Sequence, residues 1–103
     1  MAARQRLVVW TEQARDALDE AVTYVAVDSR PAAERLLQEV LDKAASLASL
    51  ARRGRIVPEL GQPEVREIFI QKYRLLYEVA MTRVTVLAFL HSARDFAAWQ
   101  RDG

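Results

Sequence analysis

The apolar positions in the first half of the chain follow a helical period. Leu7–Trp10 is a short apolar run typical of a strand, and Thr11 behind it suits a helix N-cap. Apolar residues then recur at steps of three and four with charged residues between them, which predicts an amphipathic helix over about 12–26. The segment 28–31, DSRP, predicts a break before a second helix, which we expect to end at a C-terminal cap on Gly54. The two helices should form a hairpin with one apolar side.

The second half of the chain changes to the period of strands. The segments 65–70, 73–79 and 84–90 are rich in β-branched and aromatic residues, and short connections separate them. They predict a three-stranded antiparallel meander, followed by a short helix over 94–100 for which Ser92 is the expected cap. Helices and strands that are segregated along the chain, with the N-terminal strand added to the sheet, indicate one α+β domain of 103 residues.

The last of these strands predicts a second apolar face on the sheet. Strict alternation would place Ala88 and Leu90 on the same face as Val84, and would place Leu87 and Phe89 on the opposite face. A helical hairpin covers only one face. We therefore expect the face with Leu87 and Phe89 to form a groove or to be covered by a partner protein.

The composition narrows the chemistry that is open to the protein. Hydrophobic residues make up 51% of the chain and charged residues 28%, as in a packed globular domain. With no cysteine and a single histidine, we expect neither a disulfide framework nor a metal site, and no cofactor is indicated. The sequence shows neither a long apolar run nor the apolar segment of a signal peptide, so a cytoplasmic protein without a membrane partner is expected.

Charge is unevenly distributed along the chain although its net value is only +1. Residues 11–49 hold eight acids against four bases, whereas residues 50–103 hold nine bases against six acids. Most of those later bases are arginines, whose planar guanidinium group pairs with phosphate or carboxylate; the alternative is an ordinary solvated surface of mixed charge. The best candidates for contact with nucleic-acid phosphates or with a target are Arg52, Arg53, Arg55 and Lys72.

Two segments of the strand-rich half carry a family resemblance. They are 65–79, VREIFIQKYRLLYEV, and 84–96, VTVLAFLHSARDF. In this order they resemble the RelE/ParE superfamily, the toxins of bacterial type II toxin–antitoxin pairs. The resemblance covers essentially the whole chain and implies a two-helix hairpin followed by a curved antiparallel sheet. It also implies a cognate antitoxin as partner, and leaves open whether the toxin forms a homodimer or a toxin–antitoxin hetero-oligomer.

The superfamily divides by target, which the fold alone does not decide. RelE-like members cleave mRNA on the ribosome by metal-free phosphoryl transfer, and ParE-like members poison DNA gyrase. For the cleaving activity, the resemblance assigns phosphate stabilisation to Arg74 and a second functional arginine to Arg94. In such a nuclease Arg66 would add a cation, and the imidazole of His91 would be the general acid or base.

Departures from the nuclease pattern favour the gyrase-directed class slightly. Glu67 and Phe69 stand where RelE-type nucleases carry basic residues, and the C-terminal tyrosine of those nucleases is absent. The segment 90–95, LHSARD, resembles the ending of ParE-like members instead. Ribosome-dependent mRNA cleavage is the alternative, and a non-toxic interaction module is a third. Whether the protein is an enzyme stays open; as an enzyme it would be a metal-free endoribonuclease.

Several candidates have a second interpretation. Leu87, Phe89 and Arg74 are the residues expected to contact the antitoxin. The purely structural alternatives pair charged or polar groups within the chain. They are Arg66 with Glu78, Arg74 with Glu67 or with an acid of the helical hairpin, and His91 with Asp95 or a backbone carbonyl.

Overall fold

The structure is a computed structural model that describes residues 5–91 and 93–102, so the expected helix cap Ser92 lies outside the described residues. Within them a short strand precedes two long helices, and the sheet and a last helix follow. In chain order the elements are β1 Leu7–Trp10, α1 Glu12–Asp28, α2 Arg30–Ser46, β2 Arg55–Ile56, β3 Val65–Ile70, β4 Tyr73–Val79, β5 Arg83–Leu90 and α3 Ala93–Asp102.

The helical hairpin is built around a single shared capping residue. The backbone N–H of Ser29 donates to the carbonyl of Val25 at the end of α1, and its hydroxyl accepts from the N–H of Ala32 in the first turn of α2. The predicted break is therefore confirmed. The second helix is shorter than predicted, because α2 ends at Ser46 and a series of turns continues toward Gly54. These turns keep roughly the helical spacing, which is why the apolar pattern did not reveal the end of the helix.

The five strands form one sheet in the order β1-β5-β4-β3-β2. β1 pairs in parallel with β5, and the remaining pairs are antiparallel. The predicted three-stranded meander and the added N-terminal strand are both confirmed. β2 was not predicted, because two residues carry too little periodicity to be recognised as a strand.

The first core lies between the helical hairpin and one face of the sheet. Leu18 of α1 and Leu36 and Val40 of α2 pack there against apolar side chains of β3, β4 and β5. Tyr77 of β4 is fully buried in the same layer. Its hydroxyl accepts a hydrogen bond of 2.9 Å from the backbone N–H of Gly54, which satisfies the polar end of the ring.

A bulge in β5 exchanges the faces that its side chains occupy. Val86 pairs with Tyr77 and Ala88 with Leu76, so Leu87 lies at the bulge without a direct partner on β4. The alternation predicted for this strand is therefore wrong beyond Val86. Ala88 joins a second core on the opposite face, together with Leu90, while Phe89 packs with the helices in the first core.

The chain itself covers the second face of the sheet. Phe96 and Trp99 of α3 and Leu60 of the loop between β2 and β3 pack on that face over apolar residues of β3, β4 and β5. We expected a partner protein or an open groove there. The chain itself supplies apolar cover through α3 and the loop, and a cavity of about 240 Å³ lined by Ala88, Leu90 and Trp99 lies beside that cover.

Candidate functional site

The centre of the candidate site is a buried carboxylate on β3. The side chain of Glu67 is fully buried, and its two oxygens accept hydrogen bonds from two arginines on neighbouring strands. Arg55 Nε of β2 lies 2.6 Å from Oε2, and Arg74 Nε of β4 lies 2.5 Å from Oε1. A charged group excluded from water requires such partners. The structural alternative for Arg74, an ion pair with Glu67, is confirmed.

A second carboxylate occupies the remaining nitrogens of Arg74. The two terminal nitrogens lie 2.9 and 2.8 Å from the two oxygens of Glu59, in the loop between β2 and β3. These hydrogen bonds lower the pKa of Glu59 from 4.5 to about 2, and the same contact raises the pKa of Arg74. Phe96 of α3 lies over the guanidinium group at 5.2 Å. Only 14% of the Arg74 side chain is exposed, and all three guanidinium nitrogens are hydrogen-bonded to carboxylates of the same chain.

The other residues predicted for a nuclease site lie elsewhere. Arg66 is opposite Tyr77 in the sheet, on the face with the first core, and not opposite Glu78 as expected. Its guanidinium nitrogens donate to the backbone carbonyls of Pro63 and Gly54, at 3.1 and 3.0 Å. Arg74 is opposite Leu90 on the face with the second core. The structure therefore places Arg66 and Arg74 on opposite faces of the sheet.

His91 and Arg94 do not join Arg74 either. The His91 ring lies beside Tyr73, with ring centroids 5.1 Å apart, at an end of the first core. The backbone N–H of His91 donates to Asp95 Oδ2 at 2.9 Å, so the expected His91–Asp95 contact forms through the main chain. Arg94 is exposed on α3. The four residues of the predicted nuclease set are thus dispersed over two faces and one helix.

Three of the four candidate target-binding cations lie around Gly54. Arg53 and Arg55 line a shallow depression of about 280 Å³, and Arg52 precedes them in the chain and is exposed. Sequence reasoning missed two neighbours of this depression, Lys43 of α2 and the half-exposed ring of Phe69, because neither the helix pattern nor the strand pattern brings them together.

Lys72 lies at a different place, in the lining of a large groove. That groove has a volume of about 560 Å³ and is formed by the last turns of α1 and by the β3–β4 turn, β4 and β5. Its walls include Tyr24, Tyr73 and Phe89. Phe89 stacks on Tyr73 with centroids 4.7 Å apart and is almost entirely buried. Leu87 instead packs at the second core, so the three predicted antitoxin contacts do not form one surface.

Comparisons with known proteins decide the family. A family model described as ParE toxin of type II toxin-antitoxin system, parDE, matches residues 8–96. The chain belongs to this ParE toxin family. A solved structure titled "Chromosomal ParDE TA system from P. aeruginosa" matches with a TM-score of 0.69 and 20% identity, and covers 86% of this chain and 98% of that chain. At this identity the match shows the fold. No curated protein matches the chain.

The ParE match covers the elements that form the candidate site. It runs from β1 through Phe96, and so includes Glu59, Glu67 and Arg74. Within residues 5–91 and 93–102 no cluster of histidine, aspartate and glutamate has the arrangement of a metal site, and no helix is long and apolar enough to cross a membrane.

Proposed function

We propose that this ParE-family chain inhibits growth by poisoning DNA gyrase, and that a cognate antitoxin neutralises it. Family membership supports a type II toxin. The choice of gyrase over mRNA depends on one observation, that the carboxylates of Glu59 and Glu67 together bind all three guanidinium nitrogens of Arg74. We call this arrangement the carboxylate clamp on Arg74.

The clamp removes the cation that a nuclease of this superfamily would need. Cleavage of RNA requires positive groups placed around the phosphorane, where charge develops in the transition state. Glu59 and Glu67 hold all three nitrogens of Arg74 in charge-assisted hydrogen bonds, and Glu67 is buried. A phosphate would have to displace Glu59 before it could reach the guanidinium group of Arg74. The dispersal of Arg66 and His91 away from Arg74 supports the same conclusion.

Two assays on the purified protein separate the targets. With gyrase, ATP and supercoiled plasmid, we expect linear DNA to accumulate after detergent and protease treatment, because a poison traps the enzyme on cut DNA. With ribosomes and mRNA, we expect no increase in cleavage above the level without the protein. Rapid cleavage at A-site codons with gyrase unaffected would reverse the assignment and restore the RelE-like alternative.

The groove beside α1 is the proposed contact for the antitoxin. Tyr24 lines the groove and is 77% exposed, so α1 presents a large aromatic side chain to an open cavity. Exposed apolar groups beside a cavity are typical of a binding surface for another protein. Of the predicted antitoxin contacts, Phe89 lies in the wall of this groove, and Lys72 adds a cation at its rim for an acidic segment.

A further inference from the structure

The outer edge of β3 combines cations with an exposed aromatic ring. β2 pairs only with Arg66 and Glu67, so within residues 5–91 and 93–102 the edge of β3 from Ile68 onward has no strand beside it. The depression of about 280 Å³ lies at this edge. Its floor includes Ile68, and Phe69 with 51% of its surface exposed stands beside it. The exposed ring of Phe69 thus gives this sheet edge an aromatic surface beside the depression.

Three cations line the depression beside this ring. The Arg55 guanidinium carbon lies 5.0 Å from the centroid of Phe69, and 57% of the Arg55 side chain is exposed although Nε is bound to Glu67. Arg53 donates to the hydroxyl of Ser46 at 2.8 Å, a neutral partner that leaves its positive charge uncompensated. Lys43 lines the same depression from α2.

Three acids moderate the charge at this edge. One of them is Glu59, which is 40% exposed and interacts electrostatically with Arg55. Glu67 lines the depression, but its side chain has no exposed surface and both oxygens are bound to arginines. Glu39 lies 3.3 Å from Lys43 and is 37% exposed, so it offsets part of that charge. Arg53 and Arg55 therefore dominate the potential that an approaching anion meets.

We propose that this edge binds a single-stranded polynucleotide, with one base stacked on Phe69 and the adjoining phosphates held by Arg53, Arg55 and Lys43. Sequence-tolerant binding of single strands requires these two features together, a cationic track for the backbone and an aromatic ring for a base. A duplex would supply the phosphates but would keep its bases stacked within the helix. The site lies apart from the groove beside α1 and goes beyond the gyrase proposal, since it concerns direct contact between this chain and nucleic acid.

The test uses the full chain and labelled oligonucleotides of about 12 nucleotides. We expect fluorescence anisotropy to show saturable binding to oligo(dT) or oligo(rU), weaker binding to a duplex of equal length, and still weaker binding to poly-glutamate. Comparison of the two single strands shows whether DNA or RNA is the better ligand. Phe69→Ala should weaken single-strand binding about fivefold or more, because stacking contributes about 1–3 kcal/mol per base.

Charge variants provide the matched controls. Arg53→Gln should reduce the slope of log affinity against log salt by about 0.7, the value for one lost phosphate contact on a single strand. Arg30→Gln removes the same charge from the first turn of α2, about 20 Å along the helix from Lys43, and should leave affinity unchanged. Circular dichroism checks that every variant is folded.

Three results would overturn the proposal. The first is the absence of saturable single-strand binding at about 50 mM salt. The second is an equal loss of single-strand affinity in Arg53→Gln and Arg30→Gln. The third is an affinity for a duplex or for poly-glutamate that equals the single-strand affinity and is unaffected by Phe69→Ala. No gyrase or ribosome is present, so failure of the proposed function and failure of this inference are distinguishable.

Discussion

At the scale of single residues, the carboxylate of Glu67 on β3 joins the strands on either side of it, β2 and β4. It is the one charged side chain that is fully buried among residues 5–91 and 93–102, and its partners come from the strands on either side. Removing one partner of a buried ion pair is costly because the other charge is left without compensation. Loss of toxicity in an Arg74 variant therefore has to be compared with its loss of stability before Arg74 is assigned a role in chemistry.

The ion pair between Glu59 and Arg74 should make stability depend on pH. The pKa of Glu59 is lowered to about 2 in the folded state, so its contribution is fully present above its ordinary value of 4.5 and is lost as pH falls toward 2. We expect Glu59→Gln to lower the melting temperature at pH 7, and the difference from wild type to shrink between pH 4.5 and 2.

Glu64→Gln, an exposed change in the same loop, is the matched control and should change the melting temperature little at either pH. The prediction is contradicted if the melting temperatures of wild type and Glu59→Gln differ by the same amount at every pH down to 2. In that case the ionised carboxylate of Glu59 would not be the source of the difference.

At the scale of elements, the bulge at Leu87 and the last helix determine what the sheet presents. The bulge leaves the carbonyl of Leu87 to accept from the hydroxyl of Thr11 at 3.3 Å, and the same hydroxyl caps α1 by accepting from Ala14. The turn from β1 into α1 is thus tied to the bulge. Beyond it Ala88 and Leu90 lie under α3, so an element of only ten residues closes the second core.

Phe96 anchors that helix, and its removal should open the second core. It is 5% exposed and also covers Arg74, so we expect Phe96→Ala to lower the free energy of unfolding in urea by about 3 kcal/mol. Hydrogen exchange should show that the amides of α3 lose protection first. Phe96→Leu, which keeps most of the apolar volume, should cost less than about 1.5 kcal/mol. Equal stability of Phe96→Ala and wild type would show that α3 does not hold the core closed.

At the scale of the whole molecule, a groove with an apolar lining lies beside the two cores. The hairpin covers one face of the sheet, and α3 with the β2–β3 loop covers the other, while the groove lies where α1 meets the ends of β4 and β5. An antitoxin that binds there would contact the chain away from the cationic edge of β3. The protein therefore has separate surfaces for neutralisation and for nucleic acid under the two proposals.

Tyr24 should report on antitoxin binding without disturbing the fold, because it is 77% exposed. We expect Tyr24→Asp to weaken binding to the antitoxin encoded by the neighbouring reading frame by about tenfold or more, since a charge would be buried against an apolar surface. Titration calorimetry with the purified partners measures this. Tyr24→Phe keeps the ring and should bind as wild type does. Equal affinity of Tyr24→Asp and wild type would place the contact elsewhere.

The sequence by itself determined the elements with strong local signals. The break at Ser29 and the strands β3 and β4 were predicted from capping residues and from β-branched and aromatic composition, which act within a few residues of the chain. The resemblance carried by segments 65–79 and 84–96 was confirmed by the family match. Capping and strand preferences were sufficient to predict these elements, because the tertiary contacts of the fold favour the same local structures.

Only the tertiary structure decided the end of α2, the strand β2 and the role of Gly54. An added Cβ at Gly54 would lie 2.5 Å from the carbonyl oxygen of Glu67 and 2.6 Å from the hydroxyl of Tyr77, so the glycine serves a close approach of distant segments and is not a helix cap. The residues next to Gly54 in the sequence give no indication that Glu67 and Tyr77 lie beside it in the fold.

The tertiary structure also decided which face of the sheet each side chain of β5 occupies and which acids pair with Arg74. A bulge changes the count between partner strands and leaves no mark in the hydrophobic pattern of one strand, so alternation failed beyond Val86. The clamp on Arg74 joins Glu59 and Glu67, from a loop and from β3, to a residue of β4. The positions of these three charges along the chain are known from the sequence. Their pairing depends on the distances between them in space, which only the folded sheet establishes.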